Sequence, residues 1–78
     1  MNRDHADARY SSVIVEDRRQ GMAGLELYRT HGAQRKRVAR ILFWDASGQF
    51  SVETFNCEVP LDVLEELIVE ERGLVKGK

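Results

Sequence analysis

Cys57 is the only cysteine in this chain of 78 residues. Its solitude excludes an intrachain disulfide and any structural zinc site built on several thiolates. Proline is as scarce, with Pro60 alone. No stretch approaches the roughly 18 consecutive apolar residues of a membrane span. The opening MNRDHADARY lacks the apolar core of a signal peptide. A lone thiol with no export signal points to a reducing, cytoplasmic setting. Gly21, Gly24 and Gly32 form no phosphate-loop or dinucleotide fingerprint. There is no glycine-flanked nucleophile elbow, no helix-turn-helix and no RNA-recognition signature. No cofactor is expected.

What remains is the composition of a folded protein, 42% hydrophobic and 32% charged. The length allows one domain. A core this small sits near the size at which a disulfide, a metal or a partner subunit helps. With the first excluded and no metal-ligand spacing visible, self-association as a homodimer is the expectation.

The net charge of −1 conceals a division. Residues 1–44 carry nine Lys or Arg against five Asp or Glu, and residues 45–78 carry three against eight. The basic half is densest at Arg35, Lys36, Arg37 and Arg40. The acidic half is densest at Glu65, Glu66, Glu70 and Glu71. The halves can neutralise each other within one fold or between two copies. Alternatively, the basic half is a docking surface for phosphates.

Residues 1–9 are polar and aperiodic and read as a disordered leader to a single domain over 10–75. In YSSVIVED, three successive β-branched residues favour a pleated strand. RRQG reads as a turn. LELYRT alternates, with Leu25, Leu27 and Arg29 on one face. KRVARILFWD is the most apolar strand, with large side chains in both phases, so both its faces call for cover. FSVETFNCEV reads as a fourth strand with Phe50, Val52, Phe55, Cys57 and Val59 as buried candidates. Pro60 closes the sheet region. In PLDVLEELIVEERG the period becomes helical, with a stripe of Leu61, Leu64, Leu67 and Ile68 widened by Val63. Pro60 suits the first turn, and Gly73 is expected to stop the helix in the left-handed region, leaving VKGK frayed. The predicted fold is α+β, ββββα: a four-stranded, mainly antiparallel, meander-like sheet with one C-terminal helix packed on one face. One helix leaves the other face bare, a second reason to expect a dimer.

The segment FWDASGQF, residues 43–50, suits a hairpin turn, with Asp45 opening it and Gly48 supplying a positive φ. A three-residue loop would oppose Trp44 to Phe50 and Arg40 to Thr54. A tighter closure by Asp45 and Gly48 would instead oppose Phe43 to Phe50 and Arg40 to Glu53. Both registers satisfy the sequence. Trp44 is core if it faces the helix. If it faces away beside Arg40, it marks a dimer or ligand surface.

Catalytic residues are not evident. Asp45 and Ser47 lack a neighbouring histidine, since the two histidines are His5 and His31. His31 reads as a loop residue, with general base or phosphate contact as its alternatives. Cys57 reads as a small hydrophobe. The spacing of His5, Asp7 and His31 signals no specific metal site. The expected function is therefore a homodimeric protein-interaction or regulatory module without catalysis. Its interaction candidates are Arg35, Lys36, Arg37, Arg40, Trp44, Glu66 and Glu70. The alternative is single-stranded nucleic-acid or RNA binding through the basic 35–40 loop, and a small enzyme is the least supported reading. The helix is too acidic to favour anionic lipid.

Overall fold

The computed structural model describes residues 1–76. It forms an antiparallel sheet of five strands in sequence order: β1 (Asn2–His5), β2 (Ala8–Asp17), β3 (Met22–His31), β4 (Gln34–Trp44) and β5 (Gln49–Thr54). One helix, α1 (Leu61–Lys76), packs on one face. The α+β meander with a C-terminal helix is as expected, but the strand count is corrected from four to five. The added strand is β1, within the stretch read as a leader. It pairs with β2 through Arg3 and Tyr10, turning at Ala6, whose φ is +55°. Periodicity could not reveal it, because β1 is held by charge. Arg3 meets Asp62 at 2.6 Å and Glu66 at 3.2 Å, and the Met1 amino group meets Glu70 at 3.0 Å.

The core lies between the sheet and α1. Tyr10, Leu25, Leu27, Val38, Ala39 and Ile41 meet Val63 and Leu67, with Cys57, Val59, Leu64, Ile68 and Leu74 packed around them. Along the helix, the innermost line is Val63, Leu67 and Glu71, four residues apart. Leu61, assigned to the buried stripe from sequence, is exposed. Glu71, grouped with the solvated acids, is buried. The helix continues through Gly73 to Lys76 rather than stopping at the glycine. Of the VKGK segment, Val75 and Lys76 are helical, and residues 77–78 lie outside the described residues.

β5 is shorter than expected, ending at Thr54, and all six of its residues are exposed, Phe50 and Val52 among them. α1 does not reach that edge of the sheet. Beyond β5 the chain leaves the ladder, with Asn56 at a φ of +53°. Phe55 and Cys57 still anchor to β4, both donating to the Val38 carbonyl, at 3.0 and 3.4 Å.

The β4–β5 hairpin adopts the second of the two registers. Phe43 faces Phe50, Ile41 faces Val52 and Arg40 faces Glu53. The loop holds Asp45–Gly48, with the Ser47 and Gly48 amides both donating to the Trp44 carbonyl and Gly48 at a φ of +65°. Cross-strand pairing explains the choice. The phenylalanine rings sit 4.8 Å apart, and Arg40 Nε lies 2.7 Å from the Glu53 carboxylate. A slip by one residue would face Phe43 to Ser51 and Ile41 to Glu53, and would turn every β5 side chain to the other side of the sheet.

Candidate functional site

The interaction candidates do not form one site; the sheet divides them. Strand alternation would separate Arg37 from Arg40, three residues on. A bulge at Val38 prevents this: Leu27 pairs with Ala39 and Tyr28 with Arg37, leaving Val38 as the extra residue. Val38 and Ala39 are both fully buried, so two consecutive side chains enter the core. The phase of β4 changes there, and Arg35 and Arg37 join Arg40 and Trp44 on the face away from α1. Lys36 goes to the helix face, opposite Arg29.

On the helix-free face, guanidinium groups lie over aromatic rings. Arg35 sits 4.1 Å from the Tyr28 ring centroid, and Arg37 and Arg40 sit 4.4 and 5.9 Å from that of Phe55. Two of the three are also neutralised. Arg37 reaches Glu26 at 2.7 Å, and Arg40 reaches Glu53 at 2.7 Å. Glu26 in turn accepts a hydrogen bond from the Tyr28 hydroxyl at 3.1 Å. Arg35 has no carboxylate within 4.0 Å among the described residues. Trp44 faces away from the helix, half-buried between Met22 and Gln49 in the neighbouring strands. It belongs to this surface and not to the core.

Glu66 and Glu70 hold α1 to the first two strands. Glu66 accepts from Arg3, and Glu70 from both the Met1 amino group and the Ser12 hydroxyl, the latter at 2.8 Å. Their carboxylates are occupied within the chain.

The sheet's two edges differ. β1 presents Asn2, Arg3, Asp4 and His5, a charged and short edge tied to α1. β5 presents GlnPheSerValGluThr, with no lysine, no proline and no register shift in its pairing to β4. Phe50 and Val52 lie on the helix side of this edge, 41% and 44% exposed, and Ile14 is a further exposed aliphatic on that side, at β2.

A third feature, undetected in the sequence, is a cleft of about 290 Å³ between the β1–β2 and β3–β4 turns. It is lined by His5, Asp7, Tyr10, Arg29, His31 and Gln34, together with Ala6 and Ala8. His31 Nε2 and Asp7 Oδ2 approach to 3.0 Å, joining turns 24 residues apart. The hydrogen bond to His31 is the main cause holding the Asp7 carboxyl below its ordinary 3.8, with a backbone hydrogen bond and the imidazole's charge adding to it. The His5 ring meets Tyr10 edge-on at 6.3 Å. Spacing carried no signal for this group, because antiparallel pairing brings positions 5, 7, 29 and 31 together. The lining has no serine, threonine or cysteine for a histidine to activate. Among the described residues, no group of three or more His, Cys, Asp or Glu is arranged to hold a metal ion.

Fold and surfaces together define a small α+β domain, a five-stranded antiparallel meander carrying one helix. Comparison with protein-family models, curated proteins and solved structures finds no match. No helix among the described residues is long and apolar enough to cross a membrane.

Proposed function

We propose that this chain is a protein-interaction or regulatory module without catalytic activity, acting as a homodimer through the exposed edge of β5. The observation carrying this reading is that edge: six exposed residues in regular pairing, with Phe50 and Val52 bare beside it. Unpaired edges accept another strand readily unless charge, proline or a bulge blocks them. A second copy fits by chemistry. Antiparallel pairing about Ser51 sets Phe50 opposite Val52 of the other copy on the helix side. On the far side, Gln49 meets Glu53, so the edge carboxylates do not oppose one another. The helix-free face, with Trp44 and Arg35, then stays open for a macromolecular partner, in a cytoplasmic setting.

Solution mass is the test. The expected result is twice the 9.0 kDa chain mass. Ser51→Glu, which sets two carboxylates face to face on the two-fold axis, should return the chain to monomer without unfolding it. Wild type that stays monomeric at tens of micromolar, or a dimer indifferent to Ser51→Glu, refutes the edge.

A second reading draws on the shared face of Arg35, Arg37, Arg40, Tyr28, Phe55 and Trp44, a guanidinium–aromatic surface of the kind that stacks unpaired bases. It is the weaker one, because Glu26 and Glu53 already neutralise two of its three arginines. A salt-dependent titration with short single-stranded oligonucleotides, repeated with Arg35→Gln, tests it. Binding that weakens with salt and with the substitution favours it over the first reading.

A further inference from the structure

We propose that the cleft between the β1–β2 and β3–β4 turns binds a small molecule through a phosphate-type dianion. The argument begins in the sheet. Arg29 of β3 stands directly opposite Lys36 of β4, both on the helix face. Like charges facing each other across a ladder repel. Arg3, Arg37 and Arg40 each meet a carboxylate within 3.2 Å. Arg29 and Lys36 meet none within 4.0 Å among the described residues. This like-charged pair therefore adjoins a cleft that Arg29 itself lines.

The other lining groups suit the same ligand. His5, His31, Gln34 and the buried Tyr10 bring further polar hydrogen to the cleft. Asp7 is the sole carboxylate of the lining, and His31 engages it at 3.0 Å. A cation would meet a single carboxylate, Asp7, already in contact with His31, and an apolar ligand would find mostly polar walls. A tetrahedral dianion has oxygens enough for the guanidinium fork and the neighbouring ammonium together. At about 290 Å³ the cleft has room for a phosphate with a small organic body. The His31–Asp7 contact fixes the two turns that frame it. This site is independent of the β5 edge, which lies across the sheet beyond β4.

The test is titration of the intact chain with inorganic phosphate, followed by amide NMR shifts against a chloride control of equal ionic strength. Saturable shifts at Ala6–Ala8 and at Gly32–Gln34, absent with chloride, are expected. Arg29→Gln and Lys36→Gln should each weaken phosphate affinity about tenfold or more. Lys36 is exposed, so its variant keeps the test valid if Arg29→Gln does not fold. Arg35→Gln, on the opposite face, should leave affinity unchanged. Shifts that chloride reproduces, or affinity unaltered in Lys36→Gln, would overturn the proposal.

Discussion

Replacing Gly24 and Gly73 by alanine, one at a time, should move stability in opposite directions. Gly24 lies within β3, opposite Leu42. A Cβ added there would sit 2.5 Å from the Ile41 carbonyl oxygen and 2.5 Å from Leu42 Cδ2. The leucine side chain can rotate away, but the carbonyl belongs to the β3–β4 ladder and can retreat only if that pairing opens. Overpacking of this kind costs about 1–3 kcal/mol. Alanine returns roughly 0.4–1 kcal/mol by restricting the unfolded chain, so a net loss of about 1–2 kcal/mol remains. Gly73 is exposed inside α1, and its added Cβ would meet nothing within 4 Å. There the helix propensity of alanine dominates, a gain of about 0.8–1 kcal/mol. For a domain of this length, 1 kcal/mol corresponds to roughly 4–8 °C in Tm. Thermal unfolding followed by circular dichroism should therefore show Gly24→Ala lowered by about 5–15 °C and Gly73→Ala raised by about 3–8 °C. A Gly24→Ala protein as stable as wild type would refute the close approach of β3 and β4. A destabilised Gly73→Ala protein would mean that the glycine ends the helix in the left-handed region, as its sequence position first indicates.

Leu67→Ala should open a cavity beneath α1, because Leu67 is fully buried, and cost about 2–5 kcal/mol in urea denaturation. A double-mutant cycle on Phe43 and Phe50 should return a coupling of about 0.5–1.5 kcal/mol, whereas one on Trp44 and Phe50 should return almost none. The Asp7 carboxyl should titrate below its ordinary 3.8 and rise toward it in His31→Ala, as followed by carboxyl-carbon NMR. Because folding lowers that value, the tether between the two turns favours the folded state above about pH 4. It should be lost as the pH falls through the lowered value, and Asp7→Asn should abolish this acid dependence.

The elements legible in the sequence are those organised by burial. Leu25 and Leu27 alternate along β3, Val63 and Leu67 recur at helical spacing, and Asp45 with Gly48 marks a turn. The elements missed are organised by other forces. β1 has almost nothing to bury, and Arg3 holds it through two carboxylates some sixty residues away. The bulge at Val38 leaves no compositional trace, yet it decides which arginines share a surface. Gly73 carries the composition of a helix stop, but the contact of Leu74 with the core favours continuing the helix past it. The same division holds for the sites. Arg40 and Trp44 share a phase in one strand and were readable as neighbours. His5, Asp7, Arg29 and His31 meet only because four strands fold back on each other, which no local pattern encodes.

The limited reach of α1, along the strands and across them, accounts for the distribution of the surfaces on its face. Sixteen residues of α1 span about 24 Å, whereas the eleven residues of β4 extend to about 37 Å. One helix cannot cover five strands from edge to edge or strands of this length from end to end, so the helix face keeps uncovered ground. At the end beside Asp62, where Arg3 and His5 receive the first turn, the uncovered residues are charged and water suffices for them. To either side of the covered Leu25 and Ile41, in the same cross-strand row, Ile14 and Val52 are apolar and exposed, and Phe50 joins Val52 at the β5 edge. Under the two proposals above, a small polar solute would occupy the first remainder and a second copy of the chain would cover the other.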